Sequence, residues 1–112
     1  MKSPKIAASV DLRDEGNRRF DTEDDWYAAY VPLRLIQFKC WSESRYKNNK
    51  AIISATDSVI PITLDELDTD TNNYKLTDGN HRCFCSQELG YDYIPAIMPV
   101  YVQNTEFIVI PI

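Results

Sequence analysis

The chain is poor in the residues that mark secreted, linker-rich or membrane-spanning proteins. Three glycines in 112 residues leave no Gly/Ser linker, and there is no internal repeat or low-complexity stretch. The three cysteines, Cys40, Cys83 and Cys85, are odd in number and lack framework spacing, which argues against a secreted disulfide scaffold. No apolar run approaches the ~20 residues of a spanning helix. The first eleven residues hold no apolar stretch long enough for a signal peptide. The cytoplasm is the expected compartment, with no membrane partner. Excess positive charge is missing too. Twelve basic residues against seventeen acidic ones give a net charge of -5, which repels nucleic-acid phosphates unless basic residues cluster. The densest basic pair is Arg18-Arg19, so general nucleic-acid binding is disfavoured, while a local phosphate site is not.

What remains is an ordinary globular composition, 44% hydrophobic and 26% charged. A chain of this length buries roughly two-thirds of its unfolded surface on folding, so one continuous domain over 1–112 is the simplest reading. Residues 5–12 alternate weakly, as a short strand or arm. Asp21-Thr22-Glu23-Asp24-Asp25 supplies a cap and an acidic first turn, predicting a helix that runs to about Tyr30 and stops before Pro32. Val31–Phe38 reads as a strand. Ser42 or Ser44 caps a predicted helix over Glu43–Ala55. Ser58–Leu64 reads as a strand whose proline favours an edge or a bulge, and residues 65–73 as an acidic loop. Beyond a short strand at Tyr74–Thr77 and a turn at Asp78-Gly79-Asn80, a compact helix spans His81–Leu89 with Gly90 as its left-handed stop. Tyr93–Val102 and Glu106–Ile110 are the last strands.

The informative segment is Tyr74–Met98, a strand, tight turn, helix, glycine stop and strand. Gly79 permits a sharp turn, and the helix that follows presents unpaired amides to an anion. His81 and Arg82 stand in its first turn, where cations oppose the helix dipole. Phosphate is one natural partner for them. The other reading is internal: Arg82 pairs with a nearby carboxylate and His81 packs neutral. Elsewhere, Cys83 and Cys85 at i and i+2 on a helix point about 200° apart and do not share a metal. Asp68-Thr69-Asp70-Thr71-Asn72 echoes the start of a calcium loop but lacks its glycine and its terminal glutamate. A solvated turn is the expectation there, with help to a magnesium ion as a lesser reading. Trp26, Tyr27, Tyr30, Phe38, Trp41 and Tyr46 are expected mostly in the core. Arg18-Arg19 is expected as a surface pair, and Tyr91 and Tyr93 as candidates for the mouth of the site.

Leu-Thr-Asp-Gly-Asn-His-Arg at 76–82, then Glu88-Leu89-Gly90 and Ile94-Pro95-Ala96-Ile97, resembles the signature of the ParB/sulfiredoxin superfamily. The resemblance covers about residues 30–102, with Val31-Pro32-Leu33 and Ile60-Pro61-Ile62 as weaker upstream matches. Residues 1–29 read as an N-terminal extension to a core at 30–112. It implies a small α+β domain, a mixed sheet with helices packed on it, whose turn holds nucleotide phosphates. Gly79, Asn80, His81 and Arg82 are then the nucleotide-binding residues, and ATP or another nucleoside triphosphate with Mg²⁺ the cofactor.

Sulfiredoxins are similar at Gly79, His81 and Arg82 but carry their catalytic cysteine where Asn80 stands, so that activity is not expected. The helix-turn-helix domain of chromosome-partitioning ParB proteins is not expected either, because the chain ends at Ile112. The turn looks closer to that of the superfamily's free serine kinases, which implies Asp78 as a catalytic carboxylate, with Glu43 as the second. Two functions follow. One is a Mg²⁺-dependent, nucleotide-using phosphotransferase. The other is a non-enzymatic accessory or phage-type regulatory protein that binds a partner. An acidic DNA mimic and a nuclease are weaker readings: no long carboxylate stripe and no second metal-ligand cluster is present.

Overall fold

The computed structural model describes all 112 residues. Ten elements follow one another: β1 (Lys5–Ile6), α1 (Leu12–Arg19), β2 (Trp26–Pro32), α2 (Glu43–Thr56), β3 (Ser58–Val59), β4 (Ile62–Asp68), β5 (Asn73–Asp78), α3 (Asn80–Glu88), β6 (Tyr93–Pro99) and β7 (Ile108–Ile110). Five strands form one mixed sheet in the order β5-β4-β6-β2-β7. Only β4 and β6 run parallel in it. The short strand β1 pairs in parallel with β3, tying the N-terminus to the end of α2. The architecture is the expected α+β one.

Alternation along the strands divides the sheet into two apolar faces. Ile94, Ala96 and Met98 of β6 join Ala29 and Val31 of β2 in the larger core, together with Ile53 of α2 and Cys83 and Cys85 of α3. Ile97 of β6 lies on the opposite face with Trp26 and Ala28, where Leu12 and Phe20 pack from the α1 side. Both cysteines of α3 are wholly buried, and burial pushes the Cys83 thiol far up from its ordinary range. They are core residues with little thiolate character.

Three expected elements change. The acidic cluster does start a helix, but only a single 3-10 turn at Glu23–Asp25, where the Asp25 carboxylate accepts from the Thr22 amide at 3.1 Å. Trp26–Pro32 is then a strand, hydrogen-bonded on one side to β6 and on the other to β7. Aromatic and branched side chains suit a pleated surface, and Ala28 and Ala29 are buried on opposite faces of the sheet. The expected strand at 31–38 stops at Pro32 and passes into a 3-10 turn, Leu33–Leu35. The expected acidic loop is shorter as well. β4 runs on to Asp68 with two irregularities in its pairing to β5, so the turn proper is confined to residues 69–72. Its outer carboxylates face solvent on an edge hairpin, and charge on an edge is common in strands.

Candidate functional site

Gly79 is the hinge between β5 and α3. Its φ is +123° and its ψ 17°, a backbone that side chains rarely adopt. A Cβ there would lie 2.7 Å from the Cβ of Ile62 in β4, and closer still to its Cγ2. The glycine thus serves the close packing of the turn on the sheet. The first bond of the α3 ladder runs from the Cys83 amide to the Gly79 carbonyl at 3.0 Å. The amides of Asn80, His81 and Arg82 precede that ladder, and no side chain caps them. At the other end of α3, Gly90 takes the expected left-handed conformation.

His81 is buried and turned toward the start of α2. Its Nε2 accepts the amides of Trp41 at 3.3 Å and Ser42 at 3.1 Å. A nitrogen that accepts two N–H groups carries no proton, so the ring is neutral with its hydrogen on Nδ1. Burial holds the imidazole below its ordinary pKa, and the Arg45 charge lowers it further. Ser42 itself caps α2 by accepting from the Arg45 amide. The Asn80 carboxamide accepts the Lys39 amide at 3.2 Å. The first two residues of α3 therefore organise the segment that leads into α2.

Arg82 follows the internal reading. Nη1 donates to the carbonyls of Ile60 at 2.8 Å and Pro61 at 3.0 Å, and Nη2 to Asp78 Oδ2 at 2.8 Å. Arg19 of α1 donates to the same Pro61 carbonyl at 2.9 Å and to Thr63 Oγ1 at 2.8 Å. It also pairs with Glu15 at 2.9 Å. Its guanidinium is mostly enclosed, so the expected surface pair at Arg18-Arg19 holds for Arg18 alone. Burial lowers the Arg19 pKa, and the Glu15 carboxylate opposes that shift. Two arginines from opposite faces of the sheet thus converge on the chain between β3 and β4, with the exposed Asp78 carboxylate beside one of them.

An open cleft of about 490 Å³ lies over this turn, lined by Thr77–Arg82 on one side and by Trp41, Arg45 and Asn49 on the other. It brings together Asp78, Gly79, Asn80, His81 and Arg82. Glu43 is not among its lining residues; it stands exposed in the first turn of α2, paired with Lys47 at 3.1 Å. Tyr91 and Tyr93 line a different pocket with Pro32 and Asp92, beyond the C-terminal end of α3, so they do not form the mouth of this cleft. Arg45 and Asn49 were invisible as site residues in the sequence, because a lone arginine on a polar helix carries no signal. Trp41, expected in the core, is 56% exposed. No helix is long and apolar enough to cross a membrane.

No protein-family model matches the chain, and no curated relative matches it in sequence. Solved structures do match in shape. Sulfiredoxin from Arabidopsis thaliana superposes with a TM-score of 0.51 at 22% identity, over 63% of this chain and 82% of that one. A free serine kinase in complex with AMP gives 0.56 at 16% identity, over 70% of this chain and 33% of the kinase. The C-terminally truncated chromosome-partitioning protein ParB from Caulobacter crescentus, complexed with CTP-gamma-S, gives 0.54 at 16% identity, over 70% of this chain and 46% of that one. The chain thus spans less than half the length of the last two. At these identities the likeness is one of fold. The chain has the ParB/sulfiredoxin-like fold.

Proposed function

We propose that the cleft over Gly79 binds a nucleotide through its phosphates, and that the chain is a nucleotide-binding domain. The observation that carries this reading is the uncapped N-terminus of α3 opening into a polar cleft beside Arg45. That guanidinium lies over the Trp41 ring at 4.7 Å, and no ion pair with a carboxylate holds it. Amides at a helix start and a nearby guanidinium are complementary to phosphate oxygens. His81, also a lining residue, holds the Trp41 and Ser42 amides through Nε2 and so fixes the far wall of the cleft. Structural relatives crystallised with AMP and CTP-gamma-S lend this reading support by analogy of fold.

The finer reading is phosphoryl transfer. Mg²⁺ bound with a nucleotide would neutralise charge on the phosphate oxygens. Asp78, 71% exposed at its side chain, would accept the proton of an attacking hydroxyl. Glu43 would join it only by leaving Lys47. A binding module without catalysis is the second reading, and it draws on the pairing of Asp78 with Arg82 and the position of Glu43 outside the cleft. Titration calorimetry with ATP and Mg²⁺ tests both. The expected result is saturable binding that Arg45→Ala weakens roughly ten-fold or more, as for loss of a charge-assisted bond, and that Asp78→Asn leaves intact. Phosphate transfer lost in Asp78→Asn supports the enzyme, and binding without turnover supports the module. No binding at millimolar nucleotide removes the proposal.

A further inference from the structure

We infer that Trp41 is a stacking platform for the base of the bound nucleotide, so that the cleft selects base-bearing phosphates over inorganic ones. This rests on the nucleotide reading above and extends it to the other end of the ligand. Trp41 is the one apolar side chain among the nine that line the cleft. Large aromatics are normally buried, and an exposed one on the rim of a polar cleft calls for a partner. Its position is set from two sides. The His81 ring meets it at 4.8 Å between centroids with the planes 70° apart, and the Arg45 guanidinium lies 4.7 Å from its ring. The Trp41 amide is held by His81 as well. The indole is therefore oriented before any ligand arrives, with Arg45 over one face of the ring, and 56% of the residue remains open. Pre-set aromatic surface favours binding because little freedom is lost on contact.

The phosphate donors and the indole belong to one cleft whose volume, about 490 Å³, falls in the ordinary range for small-ligand sites. His81 couples them, since one ring touches Trp41 while its backbone belongs to the first turn of α3. Asn49 also lines the cleft, and its Nδ2 is held by the Arg45 carbonyl at 2.8 Å, which leaves its carboxamide oxygen free to accept from a sugar or base. Stacking reads the π-face that every base shares, so the platform recognises a base without naming one.

The chain has two tryptophans, and only one is near the cleft. Trp26 is buried on the α1 face, with its Nε1 donating to Asn17 at 2.9 Å. Quenching of the exposed, red-shifted component of the emission therefore reports Trp41. The test titrates ADP and pyrophosphate, each with Mg²⁺, by fluorescence and by calorimetry, on the native protein, Trp41→Ala and Trp41→Phe. ADP is expected to quench and to bind about ten-fold more tightly than pyrophosphate, in keeping with one stacked base. Trp41→Ala should remove the advantage of ADP over pyrophosphate, while Trp41→Phe should retain most of it. Equal affinities for ADP and pyrophosphate, untouched by Trp41→Ala, overturn the platform and leave the phosphate site standing. Binding of neither ligand overturns both.

Discussion

At position 79 one added methyl group tests the whole turn. Gly79→Ala forces a side chain onto a φ of +123° and drives its Cβ into Ile62. The neighbour is the branched part of a wholly buried residue, with no flexible end to swing aside. Overpacking of a core costs about 1–3 kcal/mol, and the positive φ adds roughly another 1 kcal/mol. Chemical denaturation of the variant should show a loss of about 3 kcal/mol with an unchanged denaturant slope. A loss under about 1 kcal/mol would mean that the turn relaxes and that the glycine has another purpose. The same residue shows why the turn was readable from sequence. Asp-Gly before a helix is a strong local signal, because the backbone leaves few side chains that fit. Arg82 was not readable in the same way. A guanidinium in the first turn of a helix suits a phosphate or a carboxylate equally, and only the position of the Ile60 and Pro61 carbonyls decides that its bonds are internal.

Between elements, His81 is the latch that joins the start of α3 to the start of α2. Two amides share its unprotonated Nε2, and protonation would replace that acceptor with a third donor. Its folded-state pKa is depressed, by burial first and by Arg45 second, so the unfolded chain binds its proton more readily. Stability from this group is present in full above the unfolded value of about 6.5. It is lost as pH falls through the lower folded value. Since the chain has one histidine, the window just below pH 6.5 belongs to it, ahead of the carboxylates. Unfolding midpoints measured between pH 7.5 and 5 should fall in the native protein. They should fall much less in His81→Gln, whose carboxamide oxygen can accept an amide without titrating. Parallel pH profiles would sink the latch. The elements that sequence misjudged are those whose outcome depends on partners far away in the chain. Trp26 to Tyr30 follow a genuine helix start, yet their fate is decided by β6 and β7, which pair on either side some seventy residues later. α1 carries few apolar residues and shows no helical periodicity in the sequence, so the burial of Arg19 against β4 has no local sign. α3, by contrast, is framed by Gly79 and Gly90 within its own sequence.

At the scale of the whole molecule, ligand binding and folding share one equilibrium, which separates Asp78 from Glu43. A ligand at a hundred times its Kd stabilises the native state by about 2.7 kcal/mol. For a domain of this size that raises Tm by roughly 10 °C. Asp78→Asn acts on both sides of the balance. It breaks the pair with Arg82, a partly exposed ion pair worth up to about 1 kcal/mol, so the free protein should melt a few degrees lower. It also removes a negative charge next to the bound phosphates in a chain that is already at -5, so the rise on adding Mg²⁺ and ADP should be as large as in the native protein or larger. Free stability and ligand response should therefore move in opposite directions. Glu43→Gln should alter neither, because its exposed pair with Lys47 lies outside the cleft and exposed pairs of this kind contribute little. Thermal unfolding of the three proteins with and without ligand reads all of these at once. A Glu43→Gln variant with a diminished response would bring Glu43 into the site, and a diminished response in Asp78→Asn would mean that the carboxylate holds the ligand through the metal.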